Sequence, residues 1–280
     1  MALFKGFYTV ATGMIAQQRK TEIITNNMAN ANTPGFKADQ TTIRSFPDML
    51  LSAVGNANIP TEKNLKAPMI QEIGTVNTGI YLQETLANLA QGSLIDTNLS
   101  TDMALIDGTM PIDEESGNTG SIFFRLEHPD GGEAYTRNGN FTLDAEGYLV
   151  NGNGYYVLSD AEERIMLPND DFQLSENGTI YIDDVEVATL GVSFSANPSL
   201  LVKLDNGLFR ANDGEELPSA YTQQGVTFGL RQSTLEGSNV DSAKSMTDLL
   251  TAYRAFEANQ KVLQAYDKSM EKAVNEIGRV

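Results

Sequence analysis

Histidine occurs once in the 280 residues, as His128 in the stretch Glu127-His128-Pro129-Asp130-Gly131-Gly132, and cysteine does not occur at all. The usual zinc constellations draw on several thiolates and imidazoles, so they lack donors here. Without cysteine there is neither disulfide nor thiol chemistry. A Ser-His-Asp relay would have to use His128, and no Gly-x-Ser-x-Gly elbow accompanies it. In its turn-like setting His128 reads as a solvated loop residue. Asp and Glu total 37; a glycosidase needs only two carboxylates at a set separation, but no spacing singles out a pair. Gly152-Asn153-Gly154 lacks the third glycine of a dinucleotide fingerprint and sits in a hairpin context. The Asp-rich turns do not match the calcium-loop consensus, and the sequons at Asn98, Asn140 and Asn177 are too short a pattern to carry weight. The residues therefore name no catalytic group, no metal ligand and no cofactor, and they point away from an enzyme. An enzyme using its carboxylates is the minor alternative; an activity lost on one carboxylate substitution would reveal it.

The elements that stand out lie at the two ends. Leu3, Val10, Gln17 and Ile24 form one row at heptad spacing, and Phe7, Met14, Thr21 and Met28 form the adjacent one; six of these eight are apolar. That is the a/d pattern of a coiled-coil seam sustained for four heptads. Asn30, Asn32, Pro34 and Gly35 then disfavour a continuing helix, and Thr33, before proline, is pushed toward an extended conformation. At the other end Leu249, Phe256, Leu263, Met270 and Ile277 make an unbroken apolar row beside Met246, Tyr253, Gln260, Asp267 and Val274. Asp241-Ser242 supplies an N-cap. With no proline over 242–277, a single helix of about 50 Å is possible at 1.5 Å per residue. Isolated helices are marginal in water, so the two must pack: with each other in one monomer, or with helices of further copies around them as well.

Between the ends the texture changes. The termini are weakly basic, +3 over residues 1–37 and +1 over 242–280, which leaves −22 of the total −18 on residues 38–241. Such a surface repels nucleic acid and anionic lipid. No apolar stretch approaches the ~20 residues of a membrane helix. The N-terminus has no apolar h-region or cleavage site, so it does not read as a signal peptide. Short extended runs at 121–126, 148–158, 179–187 and 226–230 are separated by sharp turn signals at Asn138-Gly139, Glu146-Gly147, Asn177-Gly178 and Asn206-Gly207. Residues 46–54 read as a short helical or apolar run, 55–68 as an exposed loop, and 79–88 as strand-like. The expected fold is α+β: long N- and C-terminal helices pairing as a coiled-coil-like domain, with a mainly antiparallel β domain inserted between them. Its segments are an N-terminal helix at 1–37, an extended connector with some β structure at 38–91, a β-rich domain at 92–230, a return connector at 231–241 and a C-terminal helix at 242–280.

Three motifs carry a resemblance. Asn26-Asn27-Met28-Ala29-Asn30, then Asn32-Thr33 and Gly35-Phe36-Lys37, are similar to the N-terminal signature of the axial proteins of the bacterial flagellum, the rod and hook family. Leu235-Glu236 with Ser238-Asn239-Val240-Asp241, followed by Arg254-Ala255-Phe256-Glu257-Ala258-Asn259, resembles the C-terminal signature. Tyr135-Thr136-Arg137-Asn138-Gly139-Asn140-Phe141 is similar to the family's hairpin. Length favours the distal-rod type. Met103-Ala104-Leu105-Ile106-Asp107-Gly108-Thr109-Met110 departs from its usual Gly-Phe-Phe ending, and the chain looks most like the divergent distal-rod paralogues of Gram-positive flagella.

The resemblance implies a structural subunit that self-assembles through its terminal helices into a helical tube and transmits torque to the hook. Implied partners are copies of itself, other rod and hook subunits, and the flagellar type III export apparatus, with no nucleic acid and no small-molecule substrate. The implied location is the basal body, outside the cytoplasmic membrane, after export without a cleaved signal. Assembly residues would be Leu3, Phe7, Val10, Met14, Ile24 and Met28 in the first helix and Leu249, Tyr253, Phe256, Leu263, Met270 and Ile277 in the second. Asn26, Asn27, Asn30, Asn32, Gly35 and Phe36 carry the family motif, and Phe46 with Leu50 matches the element read by the export gate. On this view, deleting residues 1–37 leaves a soluble monomer. The alternatives are a hook or other rod subunit, or a secreted β-rich adhesin with coiled-coil ends.

Overall fold

The computed structural model describes residues 2–58, 66–113, 117–129, 131–212 and 214–277. The chain divides into two compact units: unit 1 comprises residues 1–25, 41–85 and 246–280, and unit 2 comprises 26–40 and 86–245. No helix among the described residues is long and apolar enough to cross a membrane.

Helix α1 spans Ala2–Ala29 and helix α2 spans Ser242–Lys272, ending in a π-helical turn at Ala273–Ile277. Asp241 caps α2: its Oδ1 accepts the backbone N–H of Ala243 at 2.9 Å and of Lys244 at 3.0 Å, which satisfies two donors that have no intrahelical partner.

The expected coiled-coil pairing is overturned. A coiled coil buries a continuous apolar seam of interlocking side chains, whereas Met246, Tyr253 and Val274 are 48%, 55% and 71% exposed. The half-buried row of α2 is Leu249, Ala252, Phe256, Asn259, Leu263, Tyr266 and Met270, and of the described α2 residues only Ala252 is fully buried. Where the helices meet, polar tips of α2 approach glycines of α1. A β-carbon on Gly13 would lie 3.2 Å from Asn259 Nδ2, and one on Gly6 would run into the Tyr266 hydroxyl. Glycine offers no knob, and in a helix interior it costs about 1 kcal/mol relative to alanine. Heptad spacing counted apolar types; it could not show which face each helix turns inward.

Unit 1 also holds most of two β-ribbons. Strand β1 (Asp39–Ser45) pairs with β4 (Ile80–Ala87), and β2 (Met49–Asn58) pairs antiparallel with β3 (Lys66–Val76). The run at 46–54 is thus strand from Met49 onward rather than helix, and of the presumed loop at 55–68, residues 55–58 and 66–68 are paired strand, while 59–65 lie outside the described residues. Met49, Leu50, Ile70 and Ile73 are 55–71% exposed, so no buried face supplied the alternation by which a strand is recognised.

Unit 2 contains β5 (Leu94–Asp96), β6 (Met103–Asp107), β7 (Ser121–Glu127), β8 (Glu133–Thr136), β9 (Phe141–Leu143), β10 (Leu149–Asn151), β11 (Gln173–Leu174), β12 (Thr179–Ile182), β13 (Val185–Thr189), β14 (Val192–Ser195), β15 (Leu201–Lys203), β16 (Phe209–Ala211), β17 (Phe228–Gln232) and β18 (Thr234–Glu236). Five of them form an antiparallel sheet in the order β14-β7-β8-β16-β15; β11-β12-β13 form a second, and β9/β10, β6/β17 and β5/β18 are two-stranded. The core gathers Met103, Leu105, Ile122, Phe124, Leu126, Phe141, Leu149, Val157, Ile165, Leu167, Ile180, Leu190, Val192 and Leu230. Gly147 and Gly178 take φ of +90° and +83° in turns the sequence marks, where a side chain would be strained. The run 179–187 is broken in two by Asp183-Asp184, with φ of +50° and +61°. Asp tolerates that conformation better than most residues, which is how a tight hairpin forms there without glycine.

Candidate functional site: a buried charged junction

The N-terminal motif, the hairpin motif and the Leu235–Asp241 part of the C-terminal motif converge in unit 2, while Arg254–Asn259 belongs to unit 1. Gly35 sits at φ +67°, and a β-carbon there would collide with the backbone of Arg137 and Asn138. Its N–H donates to the Glu236 carbonyl at 2.7 Å. The first motif is thereby pressed against the hairpin turn on one side and strand β18 on the other.

Two residues later Lys37 Nζ donates to Glu236 Oε1 at 2.6 Å, and to the carbonyls of Ala90 at 2.9 Å and Leu89 at 3.3 Å. The same carboxylate oxygen accepts the Gly92 N–H at 2.8 Å. Arg137 Nη1 stands 3.5 Å from Glu236 Oε2, while its Nη2 reaches Asp107 Oδ1 and Oδ2 at 2.6 and 2.7 Å and Ser121 Oγ at 3.2 Å. Two cations thus face two carboxylates. Burial, and then repulsion from Arg137, hold the Lys37 ammonium below its usual range, while Glu236 pulls it back up.

Amides complete the junction. Asn239 Oδ1 accepts the Ala38 N–H at 2.8 Å, and its Nδ2 donates to the carbonyls of Asn88 and Ala90 at 2.7 and 3.0 Å. Asn27 pairs with the backbone of Asp39 in both directions, at 2.8 and 2.9 Å, as a strand neighbour would. Lys203 donates to the Lys37 carbonyl and to both Asp39 oxygens, each at 3.0 Å, with its ammonium 4.1 Å over the Phe36 ring.

The remaining sequence-named residues lie elsewhere or differ in exposure. Asn26 and Asn32 are exposed. Asn30 closes the helix end, donating to the Asn26 carbonyl at 2.9 Å and accepting the Thr33 hydroxyl at 3.2 Å. Ile24 is buried; Phe7, Val10, Met14 and Met28, and Leu249, Phe256, Leu263 and Met270, are half-buried. Tyr253 is exposed, and the side chains of Leu3 and Ile277 lie outside the described residues. In unit 1 the Phe46 ring lies 5.0 Å from Tyr81 and 6.3 Å from Tyr8, whereas Leu50 is 62% exposed. Asp107 and Lys203 were not signalled by the sequence, since one lies outside the three motifs and the other in an unremarkable hairpin. The clue to Glu236 was its place in the C-terminal motif Leu235-Glu236.

Chemically the junction is a clamp. Lys37, Arg137 and Glu236 are at most 1% exposed, so no substrate reaches them, and their charges are spent on one another. Its reach is long in sequence: residues 27–39, 88–92, 107, 137, 203 and 236–239 are held in one network.

Comparison with known proteins matches the segments that hold these motifs. Family models described as "Flagella basal body rod protein", "Flagellar hook protein FlgE/F/G D1 domain" and "Flagellar basal body rod FlgEFG protein C-terminal" match residues 7–37, 119–182 and 231–276. The flagellar hook-basal body complex protein FlhO of Bacillus subtilis (strain 168) is 41% identical over 278 residues, 99% of this chain and 100% of that protein. The flagellar basal-body rod protein FlgG of Borreliella burgdorferi is 31% identical, covering 96% of this chain and 97% of that protein. FlgG of Bacillus subtilis (strain 168) is 30% identical over 98% of this chain and 99% of that protein. The chain belongs to the flagellar basal-body rod and hook family, as a structural rod subunit.

Proposed function

We propose that this protein is a distal-rod subunit that polymerises with copies of itself and with neighbouring rod and hook subunits into a helical tube carrying torque to the hook. The observation that carries the reading is the apolar surface on its helices. On α1, Tyr8 and Ile15 are 52% and 51% exposed at i, i+7; on α2, Met246, Leu250 and Tyr253 are 48%, 48% and 55% exposed at i, i+4, i+7. Apolar stripes of this kind are burial sites for a partner. Different patches on one chain make a heterologous contact, and one that does not close generates a filament. The buried clamp holds the strands of unit 2 against load. Higher identity to FlhO than to FlgG of the same Bacillus subtilis strain supports the paralogue type.

Export through the flagellar type III apparatus without a cleaved signal, to a basal-body location outside the cytoplasmic membrane, belongs to the same proposal. Phe46 and Leu50 are the residues proposed for the export gate. Phe46 packs against two tyrosines in the folded chain, so the gate would read it before folding. Phe46→Ala should abolish secretion and motility; normal secretion would remove the assignment. The decisive experiment for the function is electron microscopy of basal bodies from a strain lacking the gene. A rod that stops short and carries no hook is expected. A complete rod, hook and filament would refute the distal-rod role and favour the adhesin reading.

A further inference from the structure

Two sheet edges of unit 2 expose apolar side chains, the edge of β13 being covered at its last residue, where the Thr189 carbonyl accepts the Asp160 N–H at 2.9 Å. Strand β13 ends the three-stranded sheet and β15 ends the five-stranded one. On β13, Val185 and Val187 are 64% and 43% exposed; at β15, Leu200 and Val202 are 64% and 45% exposed. Val187 is the extra residue of a bulge in the β12/β13 pairing, and Leu200 ends the 3-10 turn that leads into β15, so both apolar pairs lie where the regular strand alternation is broken. Free strand edges invite another strand, and proteins commonly blunt them with charge or cover.

The charges differ in sign. The β12–β13 hairpin turns through Asp183-Asp184 and continues into Glu186. Beside β15 an open cavity of about 370 Å³ is lined by Val202, Leu204, Ala211 and Arg210. Arg210 lies opposite Val202 in the β15/β16 register and is exposed. Neither the two aspartates nor Arg210 has an ion-pair partner among the described residues.

We propose that the β12–β13 hairpin of one copy docks on the β15 edge of a second copy, with Val185 and Val187 against Leu200 and Val202, and with Asp183 and Asp184 on Arg210. The occupant is a second copy because one unit bears both halves, an acidic apolar tip and a basic apolar ledge. Strand addition supplies main-chain hydrogen bonds, and the side chains supply specificity. Since the two surfaces are different patches, the contact repeats from copy to copy without closing. This inference rests on the rod reading and assigns it a specific contact.

The chain has no cysteine, so paired thiols report the contact directly. Full-length Val185→Cys and Val202→Cys chains, tagged to different sizes, would be co-expressed in the deletion strain. Oxidised hook–basal bodies would then be run on non-reducing gels. A mixed dimer of the two variants is expected, with little dimer from either variant alone. Arg210→Asp should reduce the mixed dimer about tenfold, as expected for losing roughly 1.4 kcal/mol, and Asp183→Arg with Asp184→Arg should restore it. Three results overturn the docking while leaving the rod role intact: hook–basal bodies that contain the chain without mixed dimer, as much dimer from Val185→Cys alone, or Val202→Cys linked to a different protein. Absence of the wild-type chain from hook–basal bodies would overturn the rod role and this contact with it.

Discussion

Lys37 and Glu236 lie 199 positions apart in sequence, yet their side chains meet at 2.6 Å with each 1% exposed. One comes from the strand-like end of the N-terminal motif and the other from β18, just before the C-terminal helix. Their ion pair closes unit 2 across almost the whole chain.

Removing one partner of a buried pair leaves an uncompensated charge, which costs about 3–5 kcal/mol. Glu236→Ala should therefore destabilise the folded protein by that amount, because it strands Lys37, Arg137 and the Gly92 N–H together. Urea denaturation of wild type and variant would measure it. A loss below about 1 kcal/mol, the worth of an exposed pair, would show that the junction is not a clamp.

The lowered pKa of Lys37 gives a pH signature of definite sign. Between that lowered value and the ordinary 10.5, the unfolded chain holds the proton that the folded chain has released. Stability contributed by this group therefore rises as pH rises through that window. Relative to Lys37→Met, wild type should gain stability as pH climbs toward 10.5. Urea midpoints of both proteins at neutral and alkaline pH would reveal it, and a constant difference between the two would contradict the assigned cause.

Gly35→Ala tests the contact between the first motif and the hairpin. The positive φ alone costs about 1–3 kcal/mol for a side chain, and the collision with Arg137–Asn138 adds to it. Thermal unfolding should show a lower Tm. Glycine-to-alanine changes at compatible sites instead stabilise by about 0.4–1 kcal/mol, so an unchanged or higher Tm would mean the close approach is absent.

Truncations should separate assembly from folding. Residues 26–40 belong to unit 2, and Asn27, Gly35 and Lys37 are bonded inside it. Removing residues 2–25 should leave a soluble monomer with unit 2 intact. Removing 1–37, which on the sequence alone is expected to leave a soluble monomer, should instead also unfold unit 2, since it deletes half of the junction. Size exclusion and circular dichroism distinguish the two; equal folding of both truncations would count against the clamp.

Much of the plan is local and was legible in the chain itself. Helix α1 and its end follow from an apolar heptad spacing that gives way to Asn30, Asn32 and Pro34. Asp241 caps α2 because its short carboxylate reaches the free N–H groups beside it. The turns at Gly147 and Gly178 follow from backbone conformations that glycine adopts freely. The family is written in contiguous motifs at both ends. Tertiary structure decided what depends on distance. It brought Lys37 to Glu236 and Arg137 to Asp107, set Lys203 over the Phe36 ring, and turned Tyr253 outward although its spacing marked it for a seam. Periodicity records which residue types could share a face. Only packing determines which face is covered and which charges must neutralise one another once water is gone.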